Sequence, residues 1–427
     1  MSGLTTLLQA HVQPDAARTV LRPFVIEDPL ASDCPRTRGV MQKVMALDPE
    51  GLAEELKVVA AGLDDRHRDI EALLLDRFDQ LKDLLKGTAP NHDQAKLIGA
   101  YFSEEFSFES AALFNPSVVR HPDQSGAPAG GERIIVSLRG IGEGHISSLA
   151  FRTGVWDADG QVTLDEPSKY AVGPKIERSE AANGELIVHL LWEGDYDVSE
   201  KVLYPFMPSQ GRGIEDVRLV QFTDADGAVD YRGTYTAFNG SDVRQGLMRT
   251  TDFNNFETRG VQGDHYSGKG MAIFPRKING RYAMLARQDN ENIWLVYSDD
   301  FYTWNGGEVI VAPKYPWEFI QMGNCGSPIE IEEGWLMLTH GVGVVRNYCI
   351  GAVLLDKNDP SKVLGRLAKP LLEPEPDSRD GYVPNVVYSC GAIVRDRVLL
   401  VPYGVADNFA AFATVKLDDL LAAMVAP

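Results

Sequence analysis

The chain has 427 residues, 44% hydrophobic and 24% charged, a composition ordinary for a globular protein and a length beyond one typical core. Its formal net charge of -20 excludes a nucleic-acid backbone or an anionic membrane surface as the partner, because both require a cationic face. A small neutral ligand fits that charge, as does an anion met by a locally basic pocket.

In chain order, residues 1 to about 45 carry Pro14, Pro23, Pro29 and Pro35 and read as an irregular arm. Asp48-Pro49-Glu50 then places a capping side chain before a proline at the first helical position, ahead of Leu52, Leu56 and Val59 at helical spacing. A second helix is expected to open at Asp64 or Asp65, carry Ile70, Leu73, Leu74, Phe78, Leu81 and Leu85 as one stripe, and stop at Gly87. A third spans Gln94 to Phe102. This apolar stripe must pack on the rest of the chain or on a second copy, which leaves a homo-oligomer open.

From about Leu113 the pattern changes to short apolar runs separated by Gly, Asn and Asp turns, with no further helix until Leu417 to Met424. The runs repeat. Thr250-Thr251-Asp252-Phe253 aligns with Ser298-Asp299-Asp300-Phe301, Leu354-Leu355-Asp356 gives a third point, and Phe151-Arg152-Thr153 lies about two periods upstream. A period of roughly 50 residues in an all-β chain is the range of propeller blades, five or six here, with a β-sandwich or solenoid as the competing architectures.

In a propeller the innermost strands line a central funnel, so site residues should come from several repeats. The run Gly213-Ile214-Glu215-Asp216-Val217-Arg218 reads as a strand that puts Asp216 and Arg218 on one face and Glu215 on the other. That is a polar cavity wall or a surface ion pair. Lys269, Arg287 and His340 each end a strand beside small residues, where backbone can approach a ligand. Singly, each fits a surface or structural role; placed periodically in so acidic a chain, they point to a phosphate or sulfate pocket. Tyr204, Phe206, Trp317 and Phe319 are candidates to stack on a sugar, Trp294, Trp304 and Trp335 are expected in the core, and His145 and His265 read as loop residues.

Gly140-Ile141-Gly142-Glu143-Gly144 is followed by a strand-like run, not the helix that a dinucleotide loop requires. The four cysteines and eight histidines show no metal-ligand spacing, so reduced thiols and no metal are expected. The first residues lack an apolar core with a cleavage site, and no apolar run reaches membrane-spanning length, so a cytoplasmic location is expected.

Asn115-Pro116, Gly213 to Arg218, Phe274 to Tyr282, Pro328 to Gly341, Pro384 to Gly391 and Tyr403 to Asp407 together resemble glycoside hydrolase family 130, the β-mannoside phosphorylases and related β-mannosidases. The resemblance implies a five-bladed β-propeller over residues 106–427, with residues 1–105 as an N-terminal α-helical extension. It implies that Asp216 is the general acid, its proton reaching the glycosidic oxygen through a sugar hydroxyl, while phosphate attacks the opposite face to give α-mannose 1-phosphate. Lys269, Arg287, His340 and Tyr348 would hold the phosphate. Asn115, Arg139 and Asp407 would hold the sugar, together with Glu215 and Arg218, the latter turned toward Glu215 or a sugar hydroxyl. No cofactor is implied beyond inorganic phosphate as co-substrate. The alternatives are a β-mannoside hydrolase of the same fold and a noncatalytic sugar-binding propeller. Two positions depart from the family pattern: Gly270 follows Lys269, and Ala286 precedes Arg287.

Overall fold

The computed structural model describes residues 3–27, 34–85, 87 and 89–427, and divides into two compact units. One comprises Ala16–Phe108 with Ser168–Gly173, the other Met1–Asp15, Glu109–Pro167 and Pro174–Pro427.

The first unit is built on helices Pro35–Met45, Pro49–Leu63, Ile70–Asp79 and His92–Tyr101. Asp48 caps the second of these as expected, accepting from the Gly51 amide at 2.8 Å. Asn91 and Gln94 form a reciprocal capping box that starts the last helix two residues before Gln94. Between them the expectation fails. Asp64 ends the preceding helix, and the next begins only at Ile70, after Asp69 has adopted a left-handed backbone with φ 53°. The linking segment is held by Glu105, which pairs with Arg66 at 2.8 Å and His67 at 2.7 Å. The helix then stops at Asp79, so Leu81 and Leu85 flank a short 3-10 turn at Lys82–Leu84. Met41, Val44, Leu52, Leu97, Ile98 and Phe102 form this unit's buried core.

The expected irregular arm contains two strands and a helix. Thr19–Pro23 pairs antiparallel with Ser103–Ser107, and Thr5–Val12 pairs with the last strand of the chain, Phe409–Lys416. Pro29 lies outside the described residues.

The second unit is mostly β. Its described strands form four sheets built largely of antiparallel meanders, with Thr5–Val12 added beside Phe409–Lys416 and Leu186–Leu191 beside Asn255–Gly260, and in the ten-stranded one a single parallel pair, Gly213 with Ser147, links two meanders. The repeat read from the sequence is a turn at the outer part of these meanders. Asp252 accepts from the Asn254 and Asn255 amides at 2.8 and 2.9 Å, Asp300 from Tyr302 at 3.2 Å, and Asp356 from Asn358 and Asp359 at 2.9 Å each. Phe253 and Phe301 follow the aspartate and turn inward, at 0% and 6% exposure. A fourth copy occurs at Asp157, which accepts from Asp159 and Gln161, instead of at Phe151–Thr153. Trp304 and Trp335 are fully buried, as expected, while Trp294 stays partly exposed with its indole nitrogen donating to Asp289. Among the described residues no helix is long and apolar enough to cross a membrane.

Candidate active site

The strands Ala112–Arg120 and Gly213–Thr223 each carry an irregularity at the point where chemistry was expected. Their register shifts between Phe114 and Ser117 and between Glu215 and Arg218, and Asn115 and Asp216 take φ values of 48° and 51°. Asn and Asp are the non-glycine residues that tolerate this conformation best. The bulge inserts an extra residue and breaks strict alternation. Glu215 therefore does not point away from Asp216: both reach Arg139, which donates to Glu215 at 2.8 Å and to Asp216 at 3.4 Å.

The carboxylates are further pinned by their neighbours. Asn115 donates to Asp216 Oδ1 at 2.8 Å, Lys269 donates to Glu215 Oε2 at 2.7 Å, and Arg139 Nε donates to Ser147 at 2.9 Å. Burial opposes ionisation of Asp216, but Arg139, Arg218, the Asn115 amide and Lys269 outweigh it and hold this carboxyl below the usual range. Asp407, also at a left-handed position with φ 50°, behaves in the opposite way. Burial and then the Asp216 charge push it up to about 6.

Arg218 turns toward neither Glu215 nor open solvent. It is buried at 3% exposure and donates to the Asp216 carbonyl at 3.0 Å and to the Tyr388 hydroxyl at 2.6 Å. The bulge frees that carbonyl from the ladder and offers it to the guanidinium. Arg287, partly buried, donates to His340 Nε2 at 3.0 Å, and the Gln321 amide, with its oxygen turned inward, accepts from the same guanidinium. Among the described residues neither Arg218 nor Arg287 forms an ion pair with a carboxylate. Both flank Gly270: a Cβ built there would lie 3.9 Å from Arg218 Nη2 and from Arg287 Nε, and its φ of 83° suits glycine. Two guanidiniums beside one another, neither bonded to a carboxylate and with Asp216 acting on both only through space, leave an excess of positive charge in a poorly solvated place.

His340 is buried at 1% exposure, its ring parallel to Tyr348 with centroids 6.1 Å apart and tilted against Tyr388 at 5.0 Å. Burial first, then Arg287 and Arg218, push its pKa well below the usual value. It is therefore neutral and not a third cation.

A cavity of 450 Å³ opens beside these groups, lined by Phe114, Arg139, His145, Glu215, Tyr382 and Asp407 among others. Tyr382 is 78% exposed and lies 6.1 Å from the His145 ring, so the aromatic wall is this pair and not the four residues expected to stack on a sugar. None of those four lines the cavity. Trp317 instead lies flat on Gly341 and Gly351 with its indole nitrogen donating to Ala368 at 3.2 Å, and Phe206 is buried. His265 bonds the Gly306 carbonyl at 2.6 Å, a loop role as expected. A second cavity, of 390 Å³, lies between Val118, Leu219, Pro275, Pro328 and Val394 and contains none of the site residues.

The geometry thus gathers Asn115, Arg139, Glu215, Asp216 and Lys269 into one hydrogen-bonded chain, and Arg287 and His340 into a second cluster with Tyr348 and Arg218 beside it. Tyr388 and Tyr382 were missed. The Pro384-to-Gly391 motif was noticed, but nothing in its sequence marks Tyr388 as the hydroxyl that would meet Arg218.

Residues 192–425 match glycoside hydrolase family 130, described as β-1,4-mannooligosaccharide phosphorylase. The chain is 39% identical over 214 residues to a 1,2-β-oligomannan phosphorylase from a Thermoanaerobacter species, covering 49% of this chain and 70% of that relative. It is 37% identical over 230 residues to a β-1,2-mannobiose phosphorylase of Listeria innocua, covering 51% and 62%. The solved structure of a β-1,2-mannobiose phosphorylase from Listeria innocua with β-1,2-mannobiose superposes with a TM-score of 0.52 at 25% identity, covering 75% of this chain and 93% of that one.

Proposed function

The chain belongs to glycoside hydrolase family 130, and from that premise we propose that it is an inverting phosphorylase, cleaving a β-1,2- or β-1,4-linked mannoside with inorganic phosphate to give α-mannose 1-phosphate. The observation that carries this reading is the pair Arg218 and Arg287 beside Gly270, neither of them bonded to a carboxylate among the described residues. A phosphate dianion supplies the charge that pair lacks, and two planar forks of donors suit its oxygens. As a dianion it is already nucleophilic and needs only to be placed, so no general base is required.

Asp216 is the proton donor in this reading, on the face of the sugar opposite the phosphate. Against the effect of burial, its pKa is held low by the positive charges around it. Phosphate on Arg218 and Arg287 cancels part of the positive potential that favours the carboxylate, so the acid form becomes accessible when both substrates are bound. A sugar hydroxyl relays the proton to the leaving oxygen, as the family resemblance implies. Asn115 Oδ1, buried without a partner, and Asp407 are placed to hold sugar hydroxyls, Arg139 can add the N–H groups it does not give to Ser147, Glu215 and Asp216, and His145 and Tyr382 wall the cavity. Arg218 moves from the sugar to the anion in this assignment. Lys269 joins the anion by leaving Glu215, while His340 and Tyr348 complete that side.

Structurally, we read the β unit as a five-bladed propeller. The ten-stranded sheet parts at its one parallel link into two blades, and the other three sheets supply one each. The expected domain 106–427 then becomes 109–167 with 174–427 as the catalytic domain, strand Thr5–Val12 added to its last blade, and the helices form the extension.

The test is incubation of β-1,2- and β-1,4-mannobiose with and without inorganic phosphate. α-Mannose 1-phosphate is expected only with phosphate. Free mannose released equally without phosphate would make the protein a hydrolase, and no turnover of either disaccharide would favour a binding module.

A further inference from the structure

His340 faces two groups whose hydrogen-bonding character is fixed. The Asn324 carbonyl, 3.3 Å from Nδ1, can only accept, and the Arg287 guanidinium, 3.0 Å from Nε2, can only donate. The imidazole is therefore the neutral tautomer with its proton on Nδ1, and the nitrogen turned toward Arg287 presents a single lone pair. Burial and the nearby Arg287 and Arg218 charges keep it so. Tyr348 and Tyr388 pack against the ring, and Asp216 is the acidic group within electrostatic reach. An anion pocket with an acceptor in its wall is selective, because an oxygen without hydrogen cannot face that lone pair favourably.

We infer that the pocket takes hydrogen phosphate with its P–OH donating to His340 Nε2, and rejects tetrahedral dianions that carry no O–H, sulfate foremost. This rests on the reading of Arg218, Arg287 and His340 as the phosphate site. When the anion enters, the Arg287 N–H leaves the neutral nitrogen for a charged oxygen, and the P–OH takes its place on Nε2. The bare oxygens lie on Arg218 and Arg287 and toward the anomeric carbon, so the protonated oxygen is kept from attacking. Sulfate has the same charge and shape but would leave Nε2 buried without a donor. A site built for a hydrogen bond discriminates strongly against a ligand that lacks it.

The experiment is calorimetric titration of the full-length protein with inorganic phosphate, arsenate and sulfate near neutral pH at constant ionic strength. Phosphate and arsenate, which both carry O–H, are expected to bind within roughly 3-fold of each other, and sulfate about 10²-fold more weakly. In His340→Gln the side-chain oxygen can take the Arg287 donor while the amide N–H faces the anion. Sulfate should then bind more tightly than to the wild type, bringing the two affinities within roughly 3-fold. A loss of folding cannot produce that gain. Equal binding of sulfate and phosphate by the wild type overturns the inference and leaves phosphorolysis standing, as does an unchanged preference in His340→Gln. Binding of none of the three anions overturns both.

Discussion

Replacing Asp216 by Asn is expected to lower kcat for β-mannobiose phosphorolysis by about 10³-fold, within the range that a positioned acid contributes. Asparagine keeps the size of the side chain and an oxygen to accept from Asn115, 2.8 Å away, so the bulge and the fold should survive. What is lost is the acidic proton and the carboxylate charge that Arg139 and Arg218 face. An aryl β-mannoside with a good leaving group needs no proton, so its phosphorolysis should fall by less than about 10-fold in the same variant. Measuring both substrates separates a missing acid from a damaged site. Equal losses on the two, or full activity on mannobiose, would move the acid away from Asp216.

The second large effect concerns the anion. Arg287→Ala is expected to raise the phosphate KM by about 10²-fold, because a hydrogen bond between two charged groups is among the strongest available. The KM for the mannoside should change by less than roughly 3-fold, since Arg287 does not line the sugar cavity. Lys269→Ala should give the smaller rise, as Glu215 already compensates that ammonium at 2.7 Å. Thermal melting gives an independent readout. At phosphate 100 times its dissociation constant the wild type should gain about 2.7 kcal/mol of stability, and Arg287→Ala at the same concentration should gain almost none. A phosphate response preserved in this variant would place the anion elsewhere.

These predictions use groups that the sequence exposed and an arrangement that it hid. The carboxylates, the cationic side chains and most of the β repeat were legible because each is a matter of residue type and spacing. An aspartate before a buried phenylalanine recurs because that turn needs an Asx side chain. The partners of Glu215 and Arg218 were not legible, because two-residue alternation holds only for an unbroken strand and the bulge at Asp216 is visible in φ, not in composition. The strand at Thr5–Val12 was hidden for another reason. Only Leu8 and Val12 of it are buried, and its partner lies about 400 residues away, beyond any hairpin signal. The helix expected to open at Asp64 does not form there; the segment instead brings Arg66 and His67 onto Glu105, a tertiary pairing that the local sequence does not announce. Trp317 was misassigned because a tryptophan in a loop looks available until the glycines that accommodate its ring are seen.

In this account Arg218 and Arg287, which no described carboxylate contacts directly, hold an anion near the carboxyl group that Asn115 and Arg139 position. The most direct measurement is a crystal structure of the protein soaked in inorganic phosphate. The account predicts an anion in contact with both Arg218 and Arg287, with room for one sugar ring between it and Asp216. A phosphate bound at any other place, with these two guanidiniums unchanged and still without an anion, would contradict it.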